Sequence, residues 1–201
     1  MQLFWNYKVL WVKSNKLEAA KITDIHSDII EKCKKGDRTA QFKLYNLYKK
    51  AMYNVSLRIV NSTDEAEDIL QESFLSAFQN MESYEGRSTF GAWLKRIVIN
   101  KALSNLKSRK VAFDSIDERH DLADDEIPIN EDEIDFKVWK IKTALKNLPD
   151  GFRTVLSLYL FEGYDHKEIA SILNITESTS KSQFLRAKRK LLEVMKMNDN
   201  G

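Results

Sequence analysis

The sequence predicts an all-α fold of two small helical domains joined by an acidic, flexible linker, and three observations carry that expectation. Two prolines and six glycines in 201 residues leave little punctuation, which suits long helices and few loops. Apolar residues recur at three- and four-residue steps, with no strand-like alternation and no internal repeat. Charge is sharply partitioned: residues 1–113 carry +7, residues 114–135 carry −10 and residues 136–201 carry +5, although the whole chain carries only +2. Two basic segments around an acidic one is the pattern of a two-domain nucleic-acid binder with a charged linker.

Composition narrows the function classes. Cys33 stands alone, so neither an internal disulfide nor a cysteine-rich zinc site is expected. His26, His120 and His166 share no ligand spacing, and no metal or other cofactor is implied. No apolar run approaches the roughly 18 to 20 residues that span a bilayer, so membrane insertion is not expected. The opening MQLFWNYKVLWVKSNK is interrupted by Lys8 and Lys13 and lacks a small-residue cleavage site. Residues 1–21 therefore read as an N-terminal extension or a short docking arm, and the cytoplasm is the expected compartment.

The elements follow in order. The first domain, residues 22–113, opens with a helix from Ile22 to Lys34, stopped by Gly36-Asp37. A second runs from Arg38 to about Val60, with Phe42, Tyr45, Tyr48, Met52, Val55 and Ile59 as its core stripe. A third runs from Asp64 to about Asn80, opened by Ser62 with Glu65 as a capping box. Its packing side is Ala66, Ile69, Leu70, Ser73, Phe74 and Ala77. A fourth runs from Thr89 to about Ser108, and its apolar positions nearly encircle it, so Trp93 is expected in the core. Residues 114–135 (DSIDERHDLADDEIPINEDEID) have no helical period, contain Pro128 and repel themselves, as a linker would. In the second domain, residues 136–201, Phe136–Asn147 is a helix ended by Leu148-Pro149, and Phe152–Phe161 is another, stopped by Gly163.

The stretch DHKEIASILNITESTSKSQFLRAKRK, Asp165 to Lys190, reads as two helices around a tight turn. Asp165 and Glu168 form a capping box, Ala170 is small enough for a close helix crossing, and Thr176 caps the second helix. At about 100° per residue, Ser180, Phe184, Ala187 and Leu191 face the domain. The opposite arc carries Ser178, Ser182, Leu185 and Arg189, flanked by Thr179, Lys181 and Arg186. Hydroxyls and cations near a helix N-terminus suit phosphate oxygens and base edges in the major groove. Leu185 suits a thymine methyl.

LKNLPDGFRTVLSLYLFEGYDHKEIASILNITESTSKSQFLRAKRKL resembles the promoter-reading domain 4 of bacterial RNA polymerase sigma factors of the extracytoplasmic-function group. Leu148-Pro149, Glu168-Ile169-Ala170, Thr179, Lys181-Ser182 and Arg186-Ala187 carry the likeness. Ser178, Ser180 and Gln183 depart from it, and Gln183 favours adenine where the family's Arg favours guanine. The resemblance implies that Ser178, Thr179, Lys181, Ser182, Gln183, Leu185, Arg186 and Arg189 read the upstream promoter element.

DEAEDILQESFLSAFQN, Asp64 to Asn80, is similar to the sigma domain 2 helix that docks on the polymerase clamp. Asp68, Gln71, Glu72 and Leu75 form its polar arc with one exposed hydrophobe, a reasonable partner surface. Asp64 and Glu65 are better explained by the helix dipole. YEGRSTFGAWLKRIVINKALSNLKSRK, Tyr84 to Lys110, resembles the stretch that opens and reads the melted promoter element. The loop Glu85, Gly86, Arg87 and Ser88 would receive an extruded base, and polar Asn100 is a further DNA contact. Lys95, Arg96, Lys101 and Lys107 would contact phosphates. Ser104 and Lys107 replace the commoner Asp and Arg.

The resemblance covers residues 22–110 and 136–195 and implies an alternative sigma factor, not an enzyme. Core RNA polymerase and promoter DNA are the implied partners, an anti-sigma factor is admitted as a third, and the free chain is expected to be a monomer. The acidic linker would thread polymerase channels or serve as a tether. Two rivals predict other behaviour. A free-standing helix-turn-helix regulator would bind promoters without polymerase, and a carboxylate metal enzyme would need a divalent ion.

Overall fold

The computed structural model describes residues 26–113 and 141–199, with side chains described to Arg109 in the first span and to Met195 in the second. The N-terminal extension, the acidic linker and the start of the following helix lie outside these residues. Among the described residues every regular element is helical.

Helix α1 covers residues 26–34 and ends where Gly36 takes φ +80°, a left-handed turn that favours glycine. Helix α2, Arg38–Val60, is opened by Asp37, whose carboxylate accepts from the amides of Thr39 and Ala40, and is closed by left-handed Asn61. Its buried line is Ala40, Leu44, Met52, Val55 and Ile59. The expected stripe errs at Phe42, which is 67% exposed. Leu44, two residues on, is fully buried instead, because at about 100° per residue Phe42 lies about 200° round the helix from both Ala40 and Leu44 of the buried line.

Helix α3 is Thr63–Gln79, and Ser62 accepts from the Glu65 amide at 3.4 Å. Only that half of the expected capping box is described, since the Glu65 carboxylate turns to Arg109 at 3.4 Å. All six expected packing residues of α3 are buried. Ser56, fully buried on α2, donates to the carbonyls of Tyr53 and Ala66, which ties α2 to α3 without leaving its hydroxyl unpaired.

After a short 3₁₀ turn, Met81–Ser83, helix α4 runs Phe90–Phe113, five residues beyond the expected Ser108. Phe90 is the centre of an aromatic cluster with Tyr48, Tyr84 and Trp93, ring centroids 5.4 to 5.6 Å apart. Trp93 packs against the core, as its helical position predicts. Gly91 lets α4 approach α2: a Cβ there would lie 2.9 Å from the Tyr48 ring.

In the second half, α5 covers residues 141–146, α6 is Asp150–Leu160, α7 is His166–Leu173 and α8 is Glu177–Asp199. Asp165 and Glu168 form the full capping box, and Asn174 makes the turn in the left-handed region at φ +55°. The Thr179 amide donates to the Thr176 hydroxyl at 3.1 Å, which caps α8.

The two halves are not separate bodies in this structure. A small core of Ala144, Leu145, Leu148, Leu156, Ala187 and Leu191 belongs to the second half alone. Leu158 and Ile169 enter the core of the first half, and Tyr159, Tyr164, Ile172 and Leu173 pack against it. Charge pairing can act across an apolar seam, but a sequence period reports only that a face is apolar, not which neighbour covers it.

Candidate nucleic-acid interface

Helix α8 is oriented as its periodicity predicts. Ser180 and Ala187 are fully buried, Leu191 is nearly so and Phe184 is half-buried. The Phe184 ring lies 4.5 Å from that of Tyr159 and 5.5 Å from that of His166. Ser180, where the family pattern has an apolar residue, lies 3.1 Å from His166 Nδ1, so its buried hydroxyl is paired. On the far side Ser178, Lys181, Ser182, Arg186 and Arg189 are exposed, and Leu185 is 56% exposed. Lys181 holds Glu177 at 2.7 Å, and that hydrogen bond keeps the Glu177 carboxyl below its usual range. Ser182 donates to the Thr179 carbonyl at 2.9 Å and keeps its lone pairs outward. Thr179 and Gln183 differ from the rest of the set in being half-buried, and Gln183 lines a crevice of about 160 Å³ between the two halves, opposite Lys107 and Leu103 of α4.

The loop Glu85–Ser88 is exposed throughout, with Gly86 at φ +72° and Arg87 Nε bonded to Glu85 at 2.6 Å. The hydroxyl of buried Tyr84 donates to the Ser88 carbonyl at 2.7 Å, which anchors the far end of the loop. Beside it a depression of about 220 Å³ is lined by Ile30 and Tyr84 as well as by Ser27, Glu31, Lys34 and Gly86. On α4, Arg96, Asn100 and Lys107 are exposed. Lys95 is half-buried and pairs with Glu162 at 2.9 Å, and Lys101 donates to Glu72 at 3.2 Å.

On α3, Asp68, Gln71, Glu72 and Leu75 are exposed, and Leu75 keeps 60% of its accessible surface. These side chains share the face turned from the core. Glu72, leaning toward α4, is the member that meets Lys101.

Of the residues whose polar contacts join the halves, the sequence points only to Lys95, and there as a phosphate contact. Arg153, only 4% exposed, donates to the carbonyls of Leu148 at 2.7 Å and Ile59 at 3.1 Å, and pairs with Asp150. Asp150 also accepts from Arg109 at 2.8 Å. Burial pushes the Asp150 carboxyl up, but its bonds to Arg109 and Arg153 and their charges hold it below the ordinary range. Glu162, its side chain 4% exposed, accepts from both Arg58 and Lys95. Next to it Tyr164 is pushed up to about 12, by burial and by the charges of Glu162 and Glu168. Across the seam such contacts join residues from 41 to 104 positions apart and leave no periodic trace. Among the described residues, no group of three or more His, Cys, Asp or Glu is placed to hold a metal ion, and no helix is long and apolar enough to cross a membrane.

The sigma-70 region 2 family matches residues 44–111, and the sigma-70 region 4 family matches residues 139–191. The RNA polymerase sigma-H factor of Pseudomonas aeruginosa is 31% identical over 173 residues, which are 80% of this chain and 88% of that protein. The ECF RNA polymerase sigma-E factor of Haemophilus influenzae is 30% identical over 188 residues, covering 87% and 96% of the two chains. Among solved structures, the sigma factor RpoE in complex with the anti-sigma factor NepR from Bartonella quintana superposes with a TM-score of 0.59. It is 25% identical and covers 77% of this chain and 95% of its own. The fold is shared with CnrH, solved in complex with the cytosolic domain of CnrY, at a TM-score of 0.52 and 19% identity, covering 84% and 96%.

Proposed function

The chain belongs to the extracytoplasmic-function group of the sigma-70 family, as an alternative sigma factor that binds core RNA polymerase and directs promoter-specific transcription initiation; we propose that it does so with three separate surfaces. The exposed arc of α8, from Ser178 to Arg189, lies on the upstream promoter element. The loop Glu85–Ser88 with Arg96, Asn100 and the lysines of α4 meets the melted element. Asp68, Gln71, Glu72 and Leu75 of α3 dock on the polymerase.

The α8 arc carries this reading furthest. Its inner face is fixed by Ser180, Ala187 and Leu191, so Ser178, Lys181, Ser182, Arg186 and Arg189 lie exposed on the other side. A helix that presents its N-terminal dipole, hydroxyls and guanidinium groups to solvent is suited to a major groove. The factor would act without catalytic groups of its own, in the cytoplasm where core polymerase is found. A relative at 25% identity was solved with an anti-sigma factor, which supports such a protein as a further partner.

The test is in vitro transcription with core polymerase and genomic fragments. Discrete start sites that require this chain are expected. Sequence-specific promoter binding by the chain alone, with no polymerase-dependent transcripts, would replace the reading with that of a free-standing regulator.

A further inference from the structure

We propose that Arg58 and Lys95 form a two-cation site for a backbone phosphate of promoter DNA, and that Glu162 fills this site while the two halves are packed together. The proposal rests on the sigma reading for the identity of the nucleic acid. It goes beyond it in assigning Arg58, and in assigning Glu162 the part of an internal phosphate surrogate.

The geometry is specific. Arg58 comes from α2 and Lys95 from α4, and both reach one carboxylate on the turn after α6. Lys95 Nζ lies 2.9 Å from Glu162 Oε2, whereas Arg58 takes Oε1. The guanidinium of Arg58 is also steadied over the Phe161 ring, 5.2 Å from its centroid. Two cations held by two packed helices and aimed at two oxygens of one anion is an arrangement that also matches a phosphate. Lys95 adjoins Arg96 on the helix that meets the melted element, about 100° round its axis from Arg96 and about 140° from Asn100, so a DNA strand that leaves the Arg96–Asn100 face can reach the site.

The seam between the halves also holds buried polar atoms that lack a partner. Arg58 Nε, Arg153 Nε and Thr154 Oγ1 are buried without a hydrogen-bond partner. Unpaired buried donors lower the stability of the closed arrangement relative to an open one in which water reaches them. Opening therefore costs less than the apolar contacts alone suggest, and it exposes both cations together. A phosphate and Glu162 then compete for one site, so DNA binding and separation of the halves favour each other.

The experiment measures binding of the full chain to a fluorescein-labelled single-stranded oligonucleotide of mixed sequence, over a range of salt. Glu162→Gln should raise affinity about threefold to tenfold at physiological salt and steepen the salt dependence by about one charge. Glu162→Asp keeps the charge but withdraws it by one methylene, and should move affinity the same way by a smaller factor, which covers the case of a Gln variant that folds poorly. Adding Arg58→Gln and Lys95→Gln to Glu162→Gln should return affinity and salt dependence to the wild-type values or below. Unchanged affinity in both single variants overturns the proposal. So does a gain that persists after both cations are removed, because it would report only the loss of a negative charge. Failure of the sigma reading is distinguishable, since it would appear as a wild-type chain that supports no polymerase-dependent transcript, whatever its affinity for the oligonucleotide.

Discussion

Arg186 and Phe184 are two positions apart on α8, yet substitutions at them should differ in kind. Arg186 is exposed, so Arg186→Ala should leave the melting temperature unchanged. In promoter binding it should cost about 1–3 kcal/mol if the guanidinium makes a bidentate base contact. A phosphate contact would instead weaken all sequences alike and shallow the salt dependence by about one charge. Phe184→Ala removes a half-buried ring that lies tilted against Tyr159 and edge-on to His166, and should cost about 3 kcal/mol of stability. Thermal melting beside promoter-specific transcription of each variant separates the two outcomes, and the reverse pattern would mean that α8 is rotated. Asp150 gives a prediction in pH. Its folded-state carboxyl is held below the ordinary value, so the stability it contributes is present above the unfolded pKa and lost as pH falls through the folded one. Asp150→Asn should therefore lose about 2–3 kcal/mol at neutral pH, leaving buried Arg153 unpaired, and flatten the acid limb of stability against pH. Denaturant midpoints over the acid range check both parts. The residues of the α8 arc were legible because a helix of known ends fixes what faces outward. Arg58, Asp150, Arg153 and Glu162 were not, because their partners lie on other helices and no local pattern names them.

At the scale of the element, the helices were legible from punctuation and period. Asp37, Ser62, Asp165 and Thr176 each cap a helix they were read to open or lie beside, and the glycine stops at 36 and 163 carry φ near +80°. The misplacement of Phe42 shows the limit. Periodicity finds an apolar stripe, but on a helix touched from two sides its edge depends on the neighbours. Helix α3 offers the sharpest test of a surface. Asp68→Arg with Leu75→Glu alters two exposed positions and should abolish co-purification with core polymerase, while stability moves by less than about 0.5 kcal/mol. Retained binding by the folded double variant would remove the docking role from this face. The turn before α8 tests the scaffold itself. Asn174 sits at φ +55°, so Asn174→Val should cost about 1–2 kcal/mol, and Asn174→Gly should be tolerated. Chemical denaturation of the two variants decides it.

For the whole molecule, charge partition predicted two basic segments around an acidic one but said nothing of their contact, because like-charged halves give no reason to meet. What brings them together is apolar packing, with Leu158 and Ile169 in the core of the other half, beside the ion pairs of Arg58, Lys95 and Arg109. If the segment between them threads polymerase channels, replacing Asp124, Asp125 and Glu126 with Ser should lower initiation. Equal transcript yield would make it a tether. The shared core has a further consequence, for heat rather than for binding. The second half retains for itself a core of few side chains, so most of its melting enthalpy is realised only while the first half is in place. A calorimetric scan of the intact chain should then show one endotherm in which the two halves lose structure together. Chains unable to close should show two, the smaller at lower temperature. Heat would thus reach the region 4 half of an opened molecule before the region 2 half, and with the roles proposed for those halves a stray open molecule would lose the power to choose a promoter before it lost the power to occupy polymerase.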